Sequence, residues 1–430
     1  MTRIVEKRID GQGYHLHMIP SEKYKTNTLV IKFRAPITRE AITNRALLPY
    51  VLQQATTKYP TARSLRTALD ELYGAVLSVD ASKKGEHHVV TFRMEIANDA
   101  LISKQTNLLK EGVRMLHEII FQPKVDNGGM DEAIIEREKQ TLKQKIRALR
   151  DDKMSYANTR LLDEMCADEP YRLHVHGYEE DLPHVNGRSL YEYYQSMLEQ
   201  DILDIYLLGD FDEQEVQTLV QSCFARKSRA ATQYDLDVKK KAPSEPKEII
   251  ERQNVQQGKL HLGYRTNILF GDEDYYALQV FNGLFGGFPS SKLFMNVREK
   301  HSLAYYAASR FESHKGLLLV FSGIDPKDYQ QAHDIILKQM EAMKRGQFTT
   351  EQLEETKNLI VNQLLETIDH QHGLIEVLYH QVLSDVDTTP EQTIEQIKKV
   401  TTDEVVQVAN KIALDTTYFL TSEEGEDANA

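Results

Sequence analysis

The chain has 430 residues, of which 52 are basic and 65 acidic, giving a formal charge of −13. An acidic surface of that size repels phosphate backbones and argues against nucleic-acid binding as the main activity. The length suits roughly two to four domains, 41 % apolar residues suit a folded core, and two cysteines, Cys166 and Cys223, cannot build a disulfide framework.

In chain order, the opening Met1–Arg8 lacks the apolar stretch of a signal peptide. No later window reaches the roughly 18 uninterrupted apolar residues of a membrane span. The expected setting is therefore cytoplasmic and reducing. Thr28–Arg34 reads as a strand, Asn44–Gln54 and Thr61–Leu72 as helices, and Gly74–Asp80 with His87–Ile96 as a hairpin. Leu101–Phe121 and Met130–Leu149 carry apolar residues at helical spacing. A polar run from Ala225 to Lys247, with three consecutive lysines and two prolines, predicts a linker. Beyond it the order returns: strand Leu260–Tyr264, helices Asp274–Leu284 and Ser291–Glu299, and hairpin Ala304–Phe311 with Gly316–Gly323. Amphipathic helices follow at Pro326–Lys344 and Thr350–Glu366. The hairpin residues Phe92 and Phe321 stand 229 positions apart, about one half-chain, which suggests a duplication. Mixed strands and helices with hairpins predict an α+β fold with helices over one face of an antiparallel-rich sheet. The domains are expected at 1–225 and 248–422, joined by a linker at 226–247 and followed by an acidic tail at 423–430.

Two histidine pairs, His174/His176 and His370/His372, have the alternate spacing that could bring two imidazoles to one ion. Neither has an obvious acidic or cysteine partner to complete a ligand set, so both read as polar surface residues. Gly283–Gly287 is glycine-rich but lacks phosphate-loop spacing, and no serine elbow is present. Glu136–Lys145 reads as a solvated helix with opposite charges three and four residues apart.

The stretch Leu284–Tyr306, containing Gly286-Gly287, then Val297-Arg298-Glu299-Lys300 and Leu303-Ala304-Tyr305, resembles the second-domain signature of the M16 peptidases (the pitrilysin, insulysin and mitochondrial processing peptidase family). Ile205–Phe211 and Tyr171–Leu182 resemble further segments of that family in the right order. The resemblance implies that Arg298 and Tyr305, seven positions apart, bind substrate and steady the tetrahedral intermediate. A guanidinium can hold a peptide carbonyl or carboxylate with a forked pair of hydrogen bonds, and a phenol can donate to a developing oxyanion. It also implies substrate binding at Gly286 and Gly287 and along a sheet edge near Ser78.

Active members of that family carry His-x-x-Glu-His on the first long helix and a distant third ligand, which together hold zinc and its catalytic water. Here the motif falls on Ala46-Leu47-Leu48-Pro49-Tyr50, and the third ligand falls on Lys145. No histidine lies between His17 and His87, so no shift of register restores the ligands. An ammonium at position 145 repels a dication and has no lone pair to give. The chain thus keeps one half of the site and lacks the other. That combination resembles the non-zinc subunit of the paired bacterial M16B proteins. It implies no metal in this chain, zinc in a partner subunit, a heterodimer (or a homodimer), and a peptide substrate held by Arg298 and Tyr305. Nothing implies nucleic acid or a membrane. The alternative is a catalytically silent scaffold or a peptide-binding protein with the same fold.

Overall fold

The computed structural model describes residues 4–102, 106–228, 241 and 245–423. Most of the expected linker and nearly all of the acidic tail lie outside the described residues. The chain forms two compact units, one of Met1–Ala148 with Leu173–Leu236, the other of Leu149–Arg172 with Asp237–Ala430. Both are α+β.

The first unit is built on six strands: β1 (Lys7–Gly11), β2 (Tyr14–Pro20), β3 (Thr26–Pro36), β4 (Val76–Lys84), β5 (His87–Ala97) and β6 (Ile202–Gly209), in the order β1-β2-β6-β3-β5-β4. Only β2 and β6 run parallel. Strand alternation sends Leu29, Ile31 and Phe33 of β3 and Val90, Phe92 and Met94 of β5 to one face. There they meet helices α1 (Ile42–Leu52), α2 (Ala62–Glu71), α3 (Leu108–Phe121), α4 (Glu132–Asp151), α6 (Gly187–Gln200) and α7 (Glu213–Phe224) in a single core. The intervening β3 residues Lys32 and Arg34 point to the other face. The hairpin β4–β5 leaves β4 at the sheet edge, with Ser78 opposite Arg93.

The second unit repeats this plan with five strands, β7 (Lys247–Arg252), β8 (Gly258–Arg265), β9 (Ala304–Glu312), β10 (Leu317–Ile324) and β11 (Ala413–Thr421), in the order β9-β10-β8-β11-β7. Its hairpin β9–β10 corresponds to β4–β5, and its one parallel pair, β11 with β7, corresponds to β6 with β2. Helices α8 (Tyr275–Asn282), α9 (Tyr329–Lys344), α10 (Thr350–Asp369), α11 (Gln371–Leu383), α12 (Pro390–Lys399) and α13 (Thr402–Lys411) belong to the same unit. Three of them, α10, α12 and α13, begin on a threonine that caps the first turn and is capped in return by Gln352, Gln392 or Glu404.

The second sheet is also covered on its other face. Helix α5 (Lys153–Met165) belongs to this unit although it precedes the polar run, so the unit boundary differs from a single cut at 226–247. Ala157, Leu161, Met165, Cys166 and Tyr171 bury Leu317, Leu319, Tyr418 and Leu420. Gly263 permits the close approach, because a Cβ there would lie 2.6 Å from Met165 Sδ. Phe321 joins this second cluster, whereas Phe92 faces the main helix core of its own unit. The two phenylalanines are therefore not structural equivalents, since a one-residue offset in a strand exchanges faces. The duplication is in strand order, and the spacing of that pair does not register it.

Segment Leu149–Arg172 is anchored by a buried ion network. Arg265 Nη2 donates to Glu169 Oε1 at 2.8 Å and Nη1 to Oε2 at 3.2 Å, while Lys315 Nζ lies 2.7 Å from Oε2. Arg265 Nε reaches Asp415 Oδ2 at 2.8 Å. Burial alone would raise the Glu169 carboxyl, but Arg265 and Lys315 outweigh it and hold it down to about 2.

Candidate functional site

The first unit brings the four degenerate positions onto two helices. Helix α1 is buried on almost every side. Ala46 is fully buried in the core, and Pro49, inside the helix, has no N–H to give the carbonyl of Arg45. One turn on, Tyr50 is buried except for its rim, and there it meets α4. Lys145 Nζ donates to Tyr50 Oη at 2.7 Å and lies 4.3 Å from the ring centroid. The expected convergence of Tyr50 and Lys145 is thus present, but it forms a cation–phenol pair. A methyl group, a phenol engaged by an ammonium, and the ammonium itself do not make a zinc ligand set. Among the described residues, no three histidine, cysteine, aspartate or glutamate side chains are grouped to hold a metal ion.

Residues 173–181 pack beside this pair. Lys143 and Arg147 of α4 grip Glu179 (3.0 Å, and a fork of 2.7 and 2.9 Å), and Arg39 forks onto Asp181. Gly177 (φ +70°) passes so close to α1 that a Cβ would lie 2.3 Å from Thr43 Oγ1. The histidine pair here sits in a turn and not on a strand. His174 stacks on Tyr178 (4.9 Å), and burial, with the charge of Lys145 behind it, lowers the imidazole of His176. The other pair lies at the start of α11, where His370 is the N-terminal flanking residue.

Arg45, which the motif reading passed over, is the polar centre of this region. Fully buried, it donates to Tyr193 Oη, His88 Nδ1 and the carbonyls of Phe33 and His88, and pairs with Asp201 at 2.6 Å. Burial and the facing guanidinium push the His88 imidazole down to about 3, so it is neutral and can accept from Arg45 Nε. A lone arginine before Ala46-Leu47-Leu48 was the available signal, because a charge in such a run is buried only when paired.

The second unit holds the residues expected to form the other half. Two π-helical turns, Gly283–Gly287 and Phe294–Lys300, interrupt the regular helix expected at Asp274–Leu284 and Ser291–Glu299, and both pack on β9. Gly286 presses against that strand, where a Cβ would come 2.5 Å from Ser309 Oγ, while Gly287 is exposed. Arg298 projects from the second turn with its guanidinium 4.7 Å from the Phe294 ring centroid. Its only ion pair among the described residues is with neighbouring Glu299 at 3.8 Å, an exposed contact worth under about 1 kcal/mol.

Strand β9 begins with a bulge, since Ala304 pairs with Ile324 and Tyr306 with Gly323, leaving Tyr305 out of register. Bulges re-aim side chains, and here Tyr305 is 74 % exposed. Its neighbour Tyr306 turns the other way, with its ring against Gly323 and its phenol pushed up to about 12 by burial. Ser78, exposed on edge strand β4, lies in the first unit.

A family model described as "Peptidase M16 inactive domain" matches residues 184–360, the stretch that includes both π turns and the bulge. A curated relative from Bacillus subtilis, "Probable inactive metalloprotease YmfF", is 46 % identical over 425 residues, covering 99 % of this chain and all of its own. The "Uncharacterized zinc protease YmxG" of the same organism is 26 % identical over 246 residues, 56 % of this chain and 58 % of its own. A crystal structure of a conserved protein from Enterococcus faecalis superposes with a TM-score of 0.90 at 35 % identity, over 98 % of this chain and 100 % of that one. Identity of that order along both chains from end to end reflects common descent, and the chain belongs to the M16 peptidase family.

Proposed function

We propose that this chain is the non-zinc subunit of a heterodimeric M16 peptidase, in which Arg298 and Tyr305 complete the active site of a zinc-bearing partner. The observation that carries the reading is the contrast between its two half-sites. The zinc positions are filled by a buried methyl group and a Lys145–Tyr50 pair, while Tyr305 stands exposed on a bulge and Arg298 has only a weak surface partner. In this reading Arg298 would fork onto a backbone carbonyl of the bound peptide and the Tyr305 phenol would donate to the developing oxyanion, while the partner's zinc would supply the activated nucleophile. Similarity to a protein named as a zinc protease is consistent with a related chain serving as that partner. A second reading, a peptide-binding protein without proteolysis, is favoured by the open edge of β4 at Ser78, which could pair with an added strand.

The test is steady-state peptide hydrolysis by the chain reconstituted with a zinc-bearing M16 subunit. Tyr305→Phe should lower kcat by about 10²–10³, the usual effect of losing one oxyanion donor. Arg298→Ala should lower kcat and raise KM, because its fork also contacts the ground-state peptide, and Arg298→Lys should restore only part. Both variants should fold and pair normally. Unchanged kinetics in both would remove the split-site reading and leave the binding protein.

A further inference from the structure

A cavity of about 720 Å³ opens in the second unit beside the turn that carries Arg298. Lys292, Asn296 and Lys300 contribute at four-residue spacing, α9 supplies Asp334, Lys338 and three glutamines, and His301 and Gln347 add to the lining. Among the described residues, Lys292, Lys300 and Lys338 make no ion pair, whereas Lys344, Lys357, Lys399 and Lys411 of the same unit are each paired. The one acid, Asp334, is already engaged, accepting from Gln330 Nε2 at 3.0 Å and facing His333 at 3.8 Å. Three lysines without an ion pair thus line one cavity in a chain whose formal charge is −13.

We propose that this cavity is a docking site for an acidic peptide segment, whose side-chain carboxylates pair with Lys292, Lys300 and Lys338. The spread of charge favours an extended chain over a compact anion. Lys292 and Lys300 stand about two turns apart, and alternate side chains of an extended peptide recur about every 7 Å. Carboxylates two and four residues apart therefore fall within reach of successive lysines. The amide-rich lining can take up the peptide's own N–H and C=O groups. A phosphate site would instead converge its donors on one point, through an arginine fork or a run of backbone N–H groups. The proposal stands apart from the role of Arg298 and Tyr305 and needs no metal.

The test uses the full chain and a fluorescein-labelled peptide of alternating glutamate and serine, with a glutamine–serine peptide as control, read by anisotropy at low salt. Binding should saturate for the acidic peptide alone and weaken as salt rises. Lys300→Gln or Lys338→Gln should each weaken it about fivefold and the double variant more than tenfold, the scale of one or two solvent-exposed charge contacts. Asp334→Asn should tighten it. Circular dichroism checks that the variants fold. Absence of binding, equal binding of the glutamine peptide, or indifference to all these variants would overturn the proposal. Displacement of the peptide by inorganic pyrophosphate at matching concentration would overturn it in favour of a small-anion site.

Discussion

Replacing Glu169 by glutamine tests how segment Leu149–Arg172 is held in the second unit. The carboxylate is 8 % exposed and faces Arg265, Lys315 and Lys241. A carboxyl that titrates near 2 when folded and near 4.5 when unfolded contributes about 3 kcal/mol of stability at neutral pH. The amide also leaves Lys315 without its carboxylate, and breaking a buried pair of this kind costs about 3–5 kcal/mol. The two routes agree on a loss of at least about 3 kcal/mol. Because the folded pKa is depressed, the contribution is complete above the unfolded pKa and is lost as pH falls from about 4.5 towards 2. The gap between wild type and Glu169→Gln should therefore narrow by about 1 kcal/mol between pH 7 and pH 4. The chain has no tryptophan, so urea unfolding followed by far-ultraviolet circular dichroism is the suitable assay. An unchanged midpoint at pH 7, or a gap that does not shrink on acidification, would refute the assignment of this network as the anchor.

Two further outcomes are expected. The purified chain should take up no stoichiometric zinc, and chelators should leave its melting temperature unchanged; one zinc per chain by elemental analysis would contradict the reading of Ala46, Tyr50 and Lys145. A protease cut within the polar run Ala225–Lys247 should give two pieces that co-elute under native conditions and separate only on denaturation, because α5 lies on the N-terminal piece and packs on the sheet of the other. Free separation of the pieces without denaturant would count against that packing.

Local signals carried much of the fold. The hairpins at β4–β5 and β9–β10 were marked by alternating apolar residues between turn residues, and α9 and α10 by helical spacing. The path of α5 was not legible, because helical periodicity marks an apolar stripe without saying which sheet it meets. The π turns were hidden for a related reason. Their sequence reads as ordinary helix, and the wider winding accompanies the packing of Gly286 against Ser309 and of Val297 in the core. At the candidate site, the spacing of Arg298 and Tyr305 was plain, but the bulge that turns Tyr305 outward depends on the pairing of β9 with β10. The cavity lysines were unreadable as a group, since they come from two helices separated by the whole β9–β10 hairpin.

The contrast between Tyr305 and Tyr306 bears on the proposed role of Tyr305. Tyr306 rests its ring against Gly323, with its phenol buried, so packing accounts for an aromatic residue there. Tyr305 leaves three-quarters of its surface in water and sits out of register with β10. Full burial of such a side chain is worth about 1.5–3 kcal/mol, so at this exposure its contribution to folding is a small part of that. The bulge itself interrupts the ladder. Stability alone therefore explains neither the bulge nor the exposed ring, whereas a residue that must reach outward to a substrate needs both. The same reasoning separates Arg265 from Arg298: the first is held by buried acceptors on Asp415, Met165 and Glu169, whereas the second has an exposed ion pair with Glu299 and a contact with the Phe294 ring, which it can exchange at little cost.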